Sequence, residues 1–171
     1  MTTRIILTVL GSDRPGLTEA LADAVLAAGG NWQESQLARL GGKYVGAVLV
    51  ELDAAQLPLL ETEIRKIDES GLQVALVLAG EEPAPSGTGL AIELVGQDRP
   101  GIVREVTSAL AALGVNIEDF SSGTENTAWS GELLFRARAR LTVPQGVTVD
   151  AVREALEDIS GEIMVDLTLR K

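Results

Sequence analysis

The stretch GSDRPGLTEALADAVLAAGGN, residues 11–31, returns 85 positions later as GQDRPGIVREVTSALAALGVN, residues 96–116. At that offset Gly11 meets Gly96, Asp13 meets Asp98, Arg14 meets Arg99, Pro15 meets Pro100 and Gly16 meets Gly101. Ala24 and Ala109, Ala27 and Ala112, Gly29 and Gly114, and Asn31 and Asn116 coincide as well. So many identities at one spacing mark a duplication, and predict two tandem copies of one supersecondary unit. GEEPAPSGTG, residues 80–89, is rich in Pro, Gly and acidic residues and reads as a linker. The expected organisation is a first domain over 1–80, a linker over 81–89 and a second domain over 90–171.

In the first copy TRIILTVL is a β-branched, apolar run ending at Gly11, the pattern of a buried strand. Leu17, Leu21, Ala24, Val25 and Ala28 then recur at helical spacing until Gly29-Gly30, one of which is expected in the left-handed position that ends a helix. NWQESQLARL and KYVGAVLVEL are two strands joined by a Gly41-Gly42 hairpin. Leu57, Leu60, Ile64 and Ile67 form a second helical stripe, with Asp53 and Gln56 spaced as a capping box and Pro58 delaying the regular helix. LQVALVLA closes the unit as a strand.

The second copy repeats this order with cleaner alternation: Leu90, Ile92 and Leu94 share one face, as do Leu133, Phe135, Ala137, Ala139 and Leu141, and Ile163, Val165, Leu167 and Leu169. Its helices are expected over about 100–113 and 148–160. The predicted fold class is α+β: two ferredoxin-like βαββαβ units, each an antiparallel four-stranded sheet with two helices on one face.

Composition narrows the function. The 171 residues are 46% hydrophobic and 23% charged, with 3% aromatic residues, as in a folded globular chain. Fourteen Lys and Arg against 25 Asp and Glu leave a net charge of −11, spread over both halves. Such a surface repels phosphate backbones, so direct nucleic-acid binding is disfavoured. MTTRIILTVLGSDRPG turns after too few apolar positions for a membrane span or secretory signal, and the compartment is read as cytoplasm. Histidine and cysteine are both absent, which removes the commonest nucleophiles, proton shuttles and zinc ligands. Catalysis would have to rest on groups such as Asp13, Asp98, Glu34 and Asp119, and no catalytic residue, metal ligand or cofactor is assigned.

The motif order, with G-x-D-R-P-G after the first strand and Asn opening the second, resembles the ACT domain, a ferredoxin-like regulatory module that binds amino acids or other small effectors. NWQESQLARLGGKYVGAVLV and GVNIEDFSSGTENTAWSGELLFRARARLTVP are similar to stretches of the tandem ACT proteins of the glycine cleavage system transcriptional repressor family. The resemblance spans nearly the whole chain. It implies a non-enzymatic sensor of a small amino acid, with glycine favoured, acting on a protein partner such as a transcription activator of glycine cleavage genes. An alternative is a regulatory ACT subunit of a metabolic enzyme, of the amino-acid biosynthetic or formyltetrahydrofolate hydrolysis type. Open edges of four-stranded sheets call for a neighbour, either the sister unit or a second copy in a homodimer.

The resemblance places the effector where the turn after the first strand meets the start of a second strand, at an interface between domains. The residues this implies are Gly11, Asp13, Gly16, Leu17 and Asn31, with Gly96, Asp98, Gly101, Ile102 and Asn116 in the second copy. Backbone N–H groups around Gly16-Leu17 and Gly101-Ile102 suit a carboxylate, and glycine allows close approach. Asn31 and Asn116 carry both a donor and an acceptor for a zwitterion, and Asp13 and Asp98 would attract its ammonium. Simpler roles stand beside these: Asp13 and Asp98 as helix caps, the two asparagines as turn residues, and Arg14 and Arg99 as solvated partners of nearby carboxylates. Arg136, Arg138 and Arg140 share the outer face of one strand, either as a basic strip for an acidic partner or as cross-strand partners of Glu118, Asp119 or Glu132. Trp32 is expected to pack on the sheet, and Trp129, in the TENTAWSG hairpin loop, is a lid, a partner contact or an anchor. Ser121-Ser122-Gly123 reads as strand-end polarity.

Overall fold

Alternation along the first strand decides which face of the sheet is buried. In β1 (Thr2–Ser12), Ile5, Leu7 and Val9 turn to one side and are at most 4% exposed, while Ile6, Thr8 and Leu10 take the other side. The computed structural model describes residues 1–68, 71–81, 86–126, 133–159 and 163–169. The chain divides into two compact units, Met1–Glu82 and Pro83–Lys171.

The first unit runs β1, α1 (Leu17–Ala27), β2 (Asn31–Leu40), β3 (Lys43–Asp53), a 3-10 turn (Ala54–Gln56), α2 (Leu57–Asp68) and β4 (Leu72–Leu78). Its strands lie in the order β2-β3-β1-β4, all antiparallel. The second runs β5 (Thr88–Gln97), α3 (Ile102–Ala112), β6 (Asn116–Asn126), β7 (Leu133–Val143), α4 (Val149–Glu157) and β8 (Met164–Leu169), in the order β6-β7-β5-β8. Both are the βαββαβ layout with two antiparallel four-stranded sheets and four helices in all, as the periodicity predicts.

Two helices cover the inner face of each sheet because their apolar residues recur at three- and four-residue spacing. α1 contributes Leu17, Leu21, Ala24 and Val25, and Leu60 and Ile64 of α2 are likewise buried. In the second unit Ile102, Val106 and Leu110 of α3 and Val152 and Leu156 of α4 close over Leu90, Ile92, Leu94, Ala137, Ala139 and Leu141. Among the described residues no polar or charged side chain is buried. Each core is therefore held by apolar burial, worth about 25 cal/mol per Å² removed from water.

Three local expectations change. β1 does not stop at Gly11 but passes through it to Ser12, and Gly11 is a packing position: a Cβ there would sit 2.8 Å from the Gly71 carbonyl and from Leu72 Cδ1. Asp53 does not join a capping box with Gln56; its carboxylate accepts the Ala55 N–H at 3.0 Å and caps a 3-10 turn, after which α2 begins with Pro58 in its first turn. β6 continues through Thr124, Glu125 and Asn126, so these three are strand rather than hairpin loop, and Trp129 lies outside the described residues. The expectation for the end of the first helix holds: Gly29 takes the left-handed conformation, φ 65°, after α1; Gly114 is found to do the same after α3 at φ 69°.

Gly46 in β3 is the tightest backbone approach in the first sheet. Its φ is 150°, and a Cβ would fall 1.9 Å from the Gln36 carbonyl oxygen on the neighbouring strand. Gly46→Ala is expected to lower unfolding stability by at least ~2 kcal/mol through strain and overpacking. Gly42→Ala, left-handed but open to solvent, is expected to cost only about 1 kcal/mol. Urea unfolding midpoints of the two variants check the ranking.

Candidate functional site

Each G-x-D-R-P-G turn leads the chain from the end of a central strand into a helix through one left-handed glycine. Gly16 has φ 89° and ψ −2°, Gly101 has φ 91° and ψ −6°, and each occupies the N-cap position with no side chain capping the helix. This corrects the capping role given to Asp13 and Asp98. Asp13 lies on the surface and pairs with Arg39, Nε to Oδ2 at 3.3 Å, while Asp98 is half-buried and its own N–H donates to the Leu133 carbonyl at 2.8 Å. A left-handed glycine reverses the chain so sharply that the aspartate three residues upstream no longer reaches the first turn.

The helices therefore start with backbone donors that no side chain satisfies. In the second turn the Ile102 N–H already donates to the Arg99 carbonyl at 3.3 Å, whereas Val103 and Arg104 have no backbone acceptor among the described residues. The side chains of Leu17 and Ile102 point inward and are each 4% exposed, so only their backbone faces the turn. Gly16 has open space where a Cβ would stand, and Gly101 has only Glu105 Oε1 at 4.0 Å.

The two turns differ in what surrounds them. At the second, a groove of about 300 Å³ is lined by Asp98, Arg99, Gly101, Ile102, Val103 and Phe135, and on its other side by Ser122, Gly123 and Thr124 of β6. Ser122-Gly123 is thus mid-strand and forms a groove wall, a role that reading it as strand-end polarity missed. Arg99 is held as a bidentate partner of Glu105, with Nη1 to Oε1 at 2.8 Å and a second contact from Nη2 to Oε2. These bonds hold the Glu105 carboxyl below its ordinary range. With Arg99 neutralised, Asp98 is the carboxylate on the groove wall.

Strand register supplies the equivalent positions in the first unit. Gly11 faces Tyr44, and Tyr44 faces Arg39; Gly96 faces Phe135, and Phe135 faces Thr124. Tyr44 therefore stands for Phe135, Arg39 for Thr124, Leu37 for Ser122 and Thr18 for Val103. The Tyr44 hydroxyl and Thr18 Oγ1 are 2.7 Å apart and hydrogen-bonded, Leu37 and Tyr44 pack on the core, and Arg39 is drawn over Asp13. Lys43 Nζ donates to Ser12 Oγ at 3.1 Å beside them. The space that is a groove in the second unit is spanned by side chains in the first. Arg14, the counterpart of Arg99, is exposed, because the position matching Glu105 is Ala20.

Asn31 and Asn116 lie elsewhere. Asn31 faces Glu51, which faces Arg4, and Asn116 faces Thr142, which faces Gly89. Each asparagine is thus about 23 Å along its sheet from its own unit's turn, taking about 3.3 Å per residue. Within one unit, asparagine and turn do not meet. Gly96, like Gly11, is inside the strand and buried.

The arginine strip is a cross-strand ladder. Arg136 Nη1 donates to Glu93 Oε1 at 2.5 Å and its Nε to Glu125 Oε1 at 3.3 Å; Arg138 reaches Glu93 and Arg140 reaches Asp119, both at 3.4 Å. Asp119 was an expected partner, Glu118 instead accepts from the Thr142 hydroxyl, and Glu132 lies outside the described residues. Glu93, two strands from Asp119, went unnoticed because pairing across β5 and β7 depends on register rather than on sequence spacing. Trp32 is half-buried against the core, as expected.

The ACT-domain family profile matches residues 3–76, and a second ACT profile matches residues 91–161. The chain is a tandem ACT-domain protein. It is 24% identical over 126 residues to the glycine cleavage system transcriptional repressor of Escherichia coli K12, a match covering 71% of this chain and 65% of that protein. It thus matches a little under two thirds of the length of that curated relative. A crystal structure of an unknown protein from Galdieria sulphuraria superposes over 100% of both chains with a TM-score of 0.86 and 28% identity. A crystal structure of a candidate glycine cleavage system transcriptional repressor covers 100% of this chain and 99% of its own, with a TM-score of 0.71 and 17% identity, a likeness of fold. No described helix of this ACT protein is long and apolar enough to cross a membrane.

The ladder on the second ACT domain makes a pH prediction. Hydrogen bonds from Arg136 and then Arg138 hold the Glu93 carboxyl below its ordinary 4.5. A depressed folded-state value means that the contribution is fully present above pH 4.5 and is lost as pH falls through the depressed value. Glu93 is solvent-screened, so the effect is small. Glu93→Gln is expected to make the acid limb of the stability profile shallower below pH 4.5 and to leave its shape above pH 6 unchanged, measured by urea unfolding across that range.

Proposed function

We propose that this chain is a non-enzymatic, cytoplasmic sensor of a small amino acid that regulates a protein partner. The observation that carries the reading is the groove beside the second G-x-D-R-P-G turn. It offers a carboxylate, Asp98, for an ammonium group, and the unsatisfied N–H of Val103 for a carboxylate. Ser122 and Thr124 add hydroxyls, and Val103 an exposed apolar face. A zwitterion matches that set of groups. Gly11, Asp13, Gly16 and Leu17 of the first turn, and Asn31 and Asn116, are not among the residues lining this groove.

Regulation through a protein fits the charge. With a net charge of −11 and Arg136, Arg138 and Arg140 tied to Glu93, Glu125 and Asp119, the described residues offer no basic footprint for DNA. The likeness to a protein named as a glycine cleavage system transcriptional repressor makes glycine the first effector to test and a transcription activator of glycine cleavage genes the first partner. Occupancy shifts the partner complex only by the effector's differential affinity for the free and bound forms.

Thermal shift against the twenty amino acids, followed by calorimetry on the hits, is the test. A ligand at about 100 times its Kd is expected to add about 2.7 kcal/mol of stability. Asp98→Asn is expected to weaken binding by at least ~10-fold, since a charged hydrogen bond is worth about 1.5–3 kcal/mol. No shift with any amino acid, on folded protein, would overturn the reading.

A further inference from the structure

We propose that the effector groove is confined to the second ACT domain, and that it selects an amino acid with an apolar side chain over glycine. The inference rests on the sensor reading above and narrows it in number and in chemistry.

The number follows from the four paired positions. In the first domain Tyr44 and Thr18 are hydrogen-bonded across the space, Leu37 fills it from the edge strand, and the Arg39–Asp13 ion pair closes its mouth. In the second domain the same positions carry Phe135, Val103, Ser122 and Thr124. Phe135 has no hydroxyl to bridge to the helix, Val103 has none to receive it, and Ser122 is smaller than leucine. Arg99 lines the groove and is held there by Glu105 of α3. The groove of about 300 Å³ is what these four exchanges leave open.

The chemistry follows from the groove's size and lining. About 300 Å³ corresponds to roughly ten waters at ~30 Å³ each. Glycine displaces only about two or three of them, leaving Val103 facing water. Val103 is 40% exposed, an apolar residue at the helix start, and a branched or aromatic side chain would cover it. Binding glycine uses the polar groups alone; binding valine, leucine or phenylalanine also removes apolar surface from water, and each added methylene is worth about 0.8 kcal/mol, or roughly 4-fold in affinity.

Calorimetry with glycine, valine, leucine and phenylalanine tests both parts on the full chain and three variants. Wild type is expected to bind one equivalent per chain, with the best apolar amino acid at least ~10-fold tighter than glycine. Val103→Thr with Phe135→Tyr transplants the first domain's bridge and is expected to abolish that binding. Ser122→Leu fills the groove from the exposed strand and is expected to do the same without touching the core, so a folding defect in the double variant leaves the question answerable. Thr18→Val with Tyr44→Phe is expected to leave affinity unchanged. Two equivalents per chain, or undiminished binding by Ser122→Leu, would overturn the single groove; glycine binding tighter than all three apolar amino acids would overturn the selection while leaving the sensor reading intact. Binding of no amino acid by wild type would overturn the sensor reading and this inference together.

Discussion

The left-handed glycine between strand and helix is the constraint on which the site depends. Gly16 and Gly101 turn the chain so abruptly that Asp13 and Asp98 cannot cap the helices they precede. A residue with a Cβ would resist that conformation by about 1–2 kcal/mol. The same turn that denies the helix its side-chain cap leaves backbone donors bare and sends Asp98 to the groove wall instead. Capping is lost, and the bare donors are left to solvent or to a ligand.

Duplication then allowed the two turns to diverge. The cores stay equivalent: Leu21 and Val106, Leu7 and Ile92, Val48 and Ala139 occupy matching layers and all are at most 4% exposed. Divergence is concentrated where the inner face of the edge strand runs past the helix start. Tyr44, Leu37 and Arg39 knit the first turn into its own sheet, whereas Phe135, Ser122 and Thr124 leave the second turn unfilled. On the outer faces the contrast is reversed, since the second sheet carries the Glu93, Arg136 and Arg138 ladder and the first presents Ile6, Thr8 and Leu10.

Much of this was legible in the sequence, and the parts that were not share one physical cause. The 85-residue repeat and the apolar periodicities of Leu17–Ala28 and Leu90–Leu94 were enough for the βαββαβ order, because local spacing dictates both helix stripes and strand faces. Gly29 ending α1 and Trp32 packing on the sheet followed from the same local signals. What sequence could not supply was register. Tyr44 beside Thr18, Ser122 opposite Phe135's side of the groove and Glu93 between two arginines all join residues distant along the chain. The Asp13 cap failed for a related reason: Asp followed by Pro and a helical run is a sound cap signal, and only the φ of the intervening glycine cancels it. Separating Asn31 from Gly16 by most of a strand likewise needed the pairing of Asn31 with Glu51 and of Glu51 with Arg4.

Backbone amide exchange, read residue by residue with and without saturating leucine, tests the account most directly. Slowed exchange at Val103 and Arg104 together with Ser122–Thr124, and none at Thr18 and Glu19, is the predicted result. Protection of Thr18 and Glu19 equal to that of Val103 and Arg104, or protection confined to the strands with the second helix start unaffected, would contradict the claim that a left-handed glycine holds those amides open for a ligand.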